Sequence, residues 1–482
     1  MRTVFKKSAP GREGVWPAAP QTALGDLLPA ALVRSAPANM PSLSELDVVR
    51  HFSLLSRKNF GVDSNFYPLG SCTMKYNPKF CEEIGALPGF ARLHPLLPQL
   101  PRGDELTQGA LEVMYETERW LCEITGMTEF TLHPMAGAHG ELTGVLTIAA
   151  YHADRGNKKT KIIVPDSAHG TNPASAAVAG YEVVSVASRD GIVDPAALAE
   201  VLDDQVAGMM MTCPNTLGLF EKHLPKIVKM LCDVDALLYY DGANLNAIMG
   251  KMRVGDAGFD VVHVNLHKTF ATPHGGGGPG SGPVGVSERL VPYLPISRVA
   301  KDTSGRFHLR YDYPKSIGYV APFYGNFGVV LRAYAYMLRL GREGLIRVSE
   351  NAVLAANYLR KRLDDVLEVP HDRTCMHEFV ASAEKQTMAH NIRALDIAKA
   401  LLDKGYHAPT VYFPLIVKEA LMIEPTETES KDTLDAFVRD LRAILTQAEN
   451  DPVAVQAAPV TLPVTRLDET AAARNMHITD DM

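Results

Sequence analysis

The chain has 482 residues, of which 46% are hydrophobic and 21% charged, and its formal net charge is −7. That length allows about two to three domains, the composition is that of a globular protein, and the acidic balance argues against a nucleic-acid partner as its main business. The six cysteines, Cys72, Cys81, Cys122, Cys213, Cys232 and Cys375, form no Cys-x-x-Cys pair, which suits reduced thiols better than a disulfide framework or structural zinc. No apolar h-region follows Arg2, Lys6 and Lys7, and no apolar run is long enough to span a bilayer. A soluble cytoplasmic protein with no membrane partner is expected.

Residues 1–95 are rich in proline and read as an arm rather than a domain. Within them Ser42-Leu43-Ser44-Glu45 offers a capping box for a helix over 42–52. Asp104 is the expected N-cap of an amphipathic run through Leu111, Met114, Tyr115, Trp120, Leu121 and Ile124. Short apolar runs at 161–165, 182–186, 208–212, 236–240 and 260–264 then alternate with helix patterns at 195–202 and 222–232. Near-continuous apolar strands of this kind are buried on both faces of a parallel sheet. The expected fold is therefore α/β, with a large doubly wound, mainly parallel sheet domain over 96–330. Helix patterns at 327–340, 350–363 and 431–446 suggest a smaller C-terminal α+β domain over 331–450. An extended tail over 451–482 completes the expected layout, and there is no internal repeat.

The chemistry concentrates around His263-Val264-Asn265-Leu266-His267-Lys268-Thr269-Phe270 and the glycine-rich run from His274 to Pro283. An apolar strand that delivers a lysine into a tight turn suits a Schiff-base lysine for pyridoxal phosphate, although Lys268 alone fits a solvated turn residue equally well. No Gly-Lys-Ser or Gly-Lys-Thr follows, so the glycines are not a Walker loop. They also lack the spacing of a dinucleotide fingerprint.

Such a cofactor needs a carboxylate for its ring nitrogen, and Asp241 follows a strand. It needs a flat group on the ring face, for which His169 is the candidate, with Ala243 on the other face. It needs a phosphate cradle, and Gly137, Ala138 and His139 open a helix pattern whose backbone N–H groups suit a dianion. His267 and Thr269, flanking the lysine, are expected to add hydrogen bonds to the phosphate, and Asn215 and Thr216 end another strand where a group near the cofactor's phenolic oxygen or the substrate is needed. A metallohydrolase reading of His133, His139, His169, His267 and His274 has no ligand-spaced helix to support it, so no metal is expected.

Several segments then resemble glycine decarboxylase, the P-protein family of the glycine cleavage system. They include Asp241-Gly242-Ala243-Asn244, Asn265-Leu266-His267-Lys268-Thr269-Phe270, Tyr67-Pro68-Leu69-Gly70-Ser71-Cys72-Thr73-Met74-Lys75, His169-Gly170-Thr171-Asn172-Pro173 and Glu424-Pro425-Thr426-Glu427. The likeness covers nearly the whole chain and only the cofactor-bearing half of the family's long form, as in subunit 2 of the split form.

The resemblance implies the type I fold of pyridoxal-phosphate-dependent transferases, with the cofactor covalently held on Lys268. Asp241, Ala243 and His169 would be ring contacts, and Gly137 to Gly140 the phosphate loop. It also implies glycine as substrate, decarboxylation, and transfer of the aminomethyl group to the lipoyl group of the H-protein. A partner subunit 1 in a heterotetramer follows from it as well. A lipoyl channel rimmed by Tyr67, Cys72 and Lys75 is expected. A cysteine desulfurase would need a mobile-loop cysteine, and a silent scaffold would not need Lys268 with Asp241.

Overall fold

The computed structural model describes residues 2–15, 28–36, 38–276 and 278–476. Gly277 of the glycine-rich run and the end of the expected tail lie outside the described residues. Two compact units are present, residues 61–456 and residues 1–60 with 457–482.

The larger unit is built on a seven-stranded sheet. In chain order its strands are β1 (Glu129–Thr131), β2 (Lys161–Pro165), β3 (Glu182–Val186), β4 (Val206–Met211), β5 (Leu237–Gly242), β6 (Val261–Val264) and β7 (Val284–Val286). They lie side by side as β1-β7-β6-β5-β4-β2-β3. The pairs from β3 to β6 are parallel, whereas β7 is antiparallel to both β6 and β1.

Every residue of β4, β5 and β6 is buried, as expected where helices cover both faces. Side chains of a strand alternate between faces. Ile162, Val164, Leu237, Tyr239 and Val261 therefore join one core with Val145 and Ile148 of helix α2 (Gly137–Asp154). Ile163, Leu238, Tyr240, Val262 and Val264 join the other, against Leu121 of helix α1 (Gln108–Thr125).

Helix α2 lies unusually close to the sheet. A Cβ on Gly144 would sit 2.4 Å from Cε2 of Tyr239 and 2.9 Å from Cγ1 of Val261, and one on Gly140 would sit 2.6 Å from the Gly282 carbonyl oxygen. Glycine at these turns of the helix lets the backbone itself touch the strands. This contact fixes where the helix N-terminus falls relative to the ends of β5 and β6.

Beyond the sheet, helix α3 (Thr171–Val178) follows β2, and the four-residue helix α4 (Leu266–Thr269) follows β6. The long helix α5 (Phe327–Leu363) leaves helical geometry at Gly341 (φ 60°, ψ −176°), a backbone conformation open mainly to glycine. The two helices expected at 327–340 and 350–363 are thus one element broken at a single residue, and the expected domain boundary after residue 330 falls inside it. A small antiparallel sheet of β8 (Phe379–Ser382), β9 (Thr410–Val411) and β10 (Ala420–Ile423), in the order β8-β10-β9, follows with helix α6 (Lys431–Asn450).

Several local expectations change. The helix near the N-terminus runs Glu45–Ser56, and its capping box is Ser44 with Asp47 rather than Ser42 with Glu45. Asp47 serves because its carboxylate reaches the Ser44 N–H at 3.2 Å while Ser44 Oγ accepts the Asp47 N–H. Asp104 caps nothing; it lies within the short helix Gly103–Leu106, and α1 starts afterwards at Gln108. Residues 61–95 belong to the larger unit rather than to a separate arm. The tail is not extended throughout, because Pro452–Ala457 and Glu469–Arg474 are helical, the latter capped by Asp468.

Replacing Gly144 with alanine forces a methyl group into the Tyr239 ring, which is held by a hydrogen bond to His263. Although alanine is the better helix former, a net loss of about 1–3 kcal/mol in unfolding free energy is expected from overpacking. Denaturant unfolding of the variant beside the parent chain measures it.

Candidate active site

The site grows from the register of two neighbouring parallel strands. Asp241, the fifth residue of β5, pairs with His263 on β6, so their side chains leave the same face at the same level. His263 Nε2 lies 3.4 Å from Asp241 Oδ1, and Tyr239, two residues earlier on that face, contacts His263 Nδ1 through its hydroxyl at 2.8 Å. The Ala243 N–H donates to Asp241 Oδ1 at 3.0 Å, and Asn172 Nδ2, from the first turn of α3, donates to Oδ2 at 2.9 Å. Burial works to raise the Asp241 pKa, but His263, Asn172, the Ala243 amide and Lys268 outweigh it and hold the carboxyl below its ordinary value.

A second carboxyl lies on the other side of the same amide. Asn172 Nδ2 also donates to Glu141 Oε2 at 3.1 Å. Burial, and then the negative charge on Asp241, push Glu141 up to about 8. The two acids thus divide the roles, one ionised and one protonated near neutral pH.

Glu141 Oε1 lies 2.9 Å from Thr171 Oγ1, which is 2.8 Å from His169 Nδ1. The Thr171 N–H also donates to His169 Nδ1 at 3.3 Å, so that nitrogen is an acceptor and the ring is the Nε2–H tautomer. Burial lowers the His169 pKa, which suits a neutral ring. The ring stands edge-on to Phe413 at 5.7 Å.

Lys268 lies in the single turn of α4, four residues past the end of β6, and its ammonium donates to the Ser71 carbonyl at 2.7 Å. His267 Nδ1 accepts the Ser281 N–H at 3.3 Å, and its ring meets His274 edge-on at 5.1 Å. Burial, followed by charge at His274 and Lys268, lowers His267 to about 3 and leaves it neutral.

Gly137, Ala138 and His139 form the first turn of α2, where Ala136 provides no side-chain cap. The free backbone N–H groups at that end are ready for an anion. Nearby, a Cβ on Gly137 would sit 2.6 Å from Asn265 Oδ1, and one on Gly280 would sit 3.1 Å from His267 Nδ1. Among the described residues, Asn265 Oδ1, Thr269 Oγ1, Thr272 Oγ1 and Ser281 Oγ are buried without hydrogen-bond partners. Free helix N–H groups fit a phosphate, the unpartnered buried hydroxyls after β6 offer further donors, and Asp241 fits a protonated ring nitrogen.

Other candidates are placed differently. Thr216 Oγ1 donates to the Ser167 carbonyl at 2.6 Å and ties two strand-end loops together. Asn215 braces its own loop, donating to the Gly191 carbonyl at 2.6 Å and accepting the N–H groups of Leu217 and Leu219. His139 Nδ1 accepts the Met135 N–H at 3.2 Å. Lys75 rims nothing: it is 2% exposed and bonded to Glu427 at 2.6 Å and to the Thr269 carbonyl at 2.7 Å. Tyr67 stacks on His407 at 3.7 Å, and Cys72 is half-buried.

Local sequence pattern does not single out Glu141, His263, Glu378 and Glu424 as site residues. Their signal is a charged or polar residue next to an apolar run, visible for His263 and Glu378 but common at strand ends generally.

A lysine just past one parallel strand, a buried carboxylate ending the neighbouring one and an anion-ready helix start, on this strand order, make the chain a pyridoxal-phosphate enzyme of fold type I. A family model described as "Glycine dehydrogenase, C-terminal domain" matches residues 348–460. The chain is 58% identical to "Probable glycine dehydrogenase (decarboxylating) subunit 2" of Caldanaerobacter subterraneus subsp. tengcongensis, over 94% of this chain and 92% of that protein. The protein of the same name from Listeria monocytogenes serotype 4a is 54% identical, over 98% and 97%. This chain belongs to the glycine dehydrogenase (decarboxylating) subunit 2 family.

The fold itself is similar to the crystal structure of glycine decarboxylase (P-protein) of the glycine cleavage system in inhibitor-bound form. The TM-score is 0.72 at 20% identity, covering 87% of this chain and 95% of that one. The glutamate decarboxylase of Lactobacillus brevis has a TM-score of 0.63 at 13% identity, covering 89% and 97%.

Because Glu141 is raised to about 8 from an ordinary 4.5, the folded chain keeps a proton there that the unfolded chain gives up. Folding stability drawn from this group is lost as pH rises from about 4.5 to 8 and stays lost above that. Glu141→Gln, which cannot ionise, escapes this loss, so its stability relative to the parent should climb across the window. Denaturant titrations over that pH range measure it, and parallel curves for the two chains would remove the assignment.

Proposed function

We propose that this chain is the cofactor-bearing subunit of a two-subunit glycine decarboxylase, acting on glycine bound through pyridoxal phosphate on Lys268. The observation that carries the reading is the placement of Lys268 and Asp241 at the ends of adjacent parallel strands, with His169 and the α2 N-terminus at the same edge of the sheet. Bound pyridoxal phosphate supplies an electron sink for the bond broken at the substrate carbon.

The chain's own residues perform the rest. Asp241, kept ionised by His263, Asn172 and the Ala243 amide, would accept the N–H of the cofactor ring and hold the proton on that nitrogen. His169, a neutral ring anchored through Thr171, would hold one face of the cofactor ring, and Ala243 the other. The amides of Gly137, Ala138 and His139 would hold the phosphate, with His267 and Thr269 beside the lysine as further candidates, while Thr216 holds its strand-end loop in place through the Ser167 carbonyl. The Lys268 amine, just past β6, would hold the cofactor.

The relatives' names, with "subunit 2" and "decarboxylating", support a second subunit and CO2 release from glycine. The lipoylated H-protein is the proposed acceptor of the aminomethyl group, and the complex is proposed to be a cytoplasmic heterotetramer. No described helix is long and apolar enough to cross a membrane.

Two measurements test this function. Glycine-dependent exchange of labelled bicarbonate should appear when this chain, the partner subunit and lipoylated H-protein are mixed, and Lys268→Ala should abolish it. Exchange that survives the substitution sinks the proposal. Asp241→Asn should still bind the cofactor, seen by its visible absorbance, while losing at least about a hundredfold in exchange rate, because a preorganised charge no longer stabilises the ring nitrogen.

A further inference from the structure

The turn that receives Lys268 is held by two glutamates that the chemistry above does not use. The Ser71 N–H donates to Glu378 Oε2 at 2.6 Å. The Thr73 N–H and hydroxyl donate to Glu424 at 3.0 and 2.6 Å. Ser71 and Thr73 both have positive φ, 64° and 36°, so the turn is a shape these residues rarely take alone. The carboxyl groups reach it from two neighbouring strands of the small sheet, Glu378 just before β8 and Glu424 just after β10.

Both glutamates are 0% exposed. One oxygen of each, with one nitrogen of His377, lies within 4.8 Å of the other two atoms. Two buried carboxylates that close cannot both stay ionised without a cation between them.

Several charged and titratable groups face the pair and its turn, among them His274, which contacts the Thr73 backbone and is lowered to about 4 by burial and then by Lys268. Lys268 lies beyond the Ser71 carbonyl. Cys72 sits in the turn itself, its thiol raised by burial. His377 is fully buried beside Glu378 at 3.6 Å, with both ring nitrogens otherwise unpartnered; burial lowers it to about 3, so it is neutral. Asn244 and Asn246 donate to Glu378 and Glu424 at 3.5 and 3.2 Å. Burial, and then the other glutamate, raise Glu378 well above its ordinary value, and burial raises Glu424 to about 7.

We propose that Glu378 and Glu424 share one proton and act as a singly charged latch, which pins the Ser71–Thr73 turn over Lys268 and keeps the Ser71 carbonyl ready for the lysine ammonium whenever that amine is free. The two glutamates are positioning residues. The use of the latch in turnover rests on the reading of Lys268 as the cofactor lysine, whereas the latch itself is a property of the cofactor-free chain.

Two readouts on cofactor-free protein test it. In infrared difference spectra near neutral pH, Glu378→Gln and Glu424→Gln should each remove the carbonyl stretch of one protonated acid, and the double variant should remove no more. Spectra in which neither substitution removes a band, or a stoichiometric metal ion found by elemental analysis of the parent, would overturn the shared proton. For the latch, alkylation of Cys72, followed by peptide mass, should be at least tenfold faster in Glu378→Ala and Glu424→Ala. The glutamine variants should stay within about threefold of the parent, since an amide still accepts the turn's N–H groups. Alanine variants that label at the parental rate would show that the turn needs no latch, and unfolded alanine variants leave the infrared result to decide. Borohydride fixation and peptide mapping of the cofactor then asks separately whether Lys268 carries it, so failure of that reading is distinguished from failure of the latch.

Discussion

An ionised carboxylate inside a protein is costly unless other groups solvate it, and the architecture around Asp241 is arranged to meet that demand. The side chain ends a fully buried strand and receives an amide N–H from its own turn, an asparagine donor from the next helix and the polar contact of His263 from the adjacent strand. Each donor comes from a different element, so the carboxylate is stable only when β5, β6 and α3 are all in place. Glu141 completes the arrangement by remaining protonated beside it. A second full negative charge there would undo what the donors achieve.

The same interlocking explains the glycine content of α2. Its backbone must approach β5 and β6 closely enough for Glu141 to reach Asn172 and for its first turn to face the strand ends. A side chain in that gap would lift the whole helix and move both groups together. The helix is set against the Gly282 carbonyl at Gly140 and against the Tyr239 ring and Val261 at Gly144.

Much of this is legible in the sequence. The strands at 161–165 and 182–186 have the expected bounds because apolar runs there are sharply flanked by polar or turn residues. Lys268, Asp241, His169 and the turn at Gly137 could be singled out because each stands where a strand or loop hands over to a helix or turn. The strands Glu129–Thr131 and Val284–Val286 were not legible, being three residues long and defined by pairing with each other. Glu141, Glu378 and Glu424 escaped for a related reason. What makes them unusual is burial beside another acid, a relation between distant segments that no local pattern carries. Lys75 looked like a polar rim residue because its partner Glu427 is 352 positions away.

Distance along the chain also sets the order in which the site can come into being during synthesis. The turn over Lys268 is tied to Glu378 across 307 residues and to Glu424 across 351. The large sheet, with its lysine and aspartate, has left the ribosome long before those anchors exist. A nascent chain can thus complete the sheet and still leave the turn open, and closure waits for the small sheet to be made and folded. A chain cut short before β10 would carry Lys268, Asp241 and His169 and lack Glu424, which holds the Thr73 end of that turn.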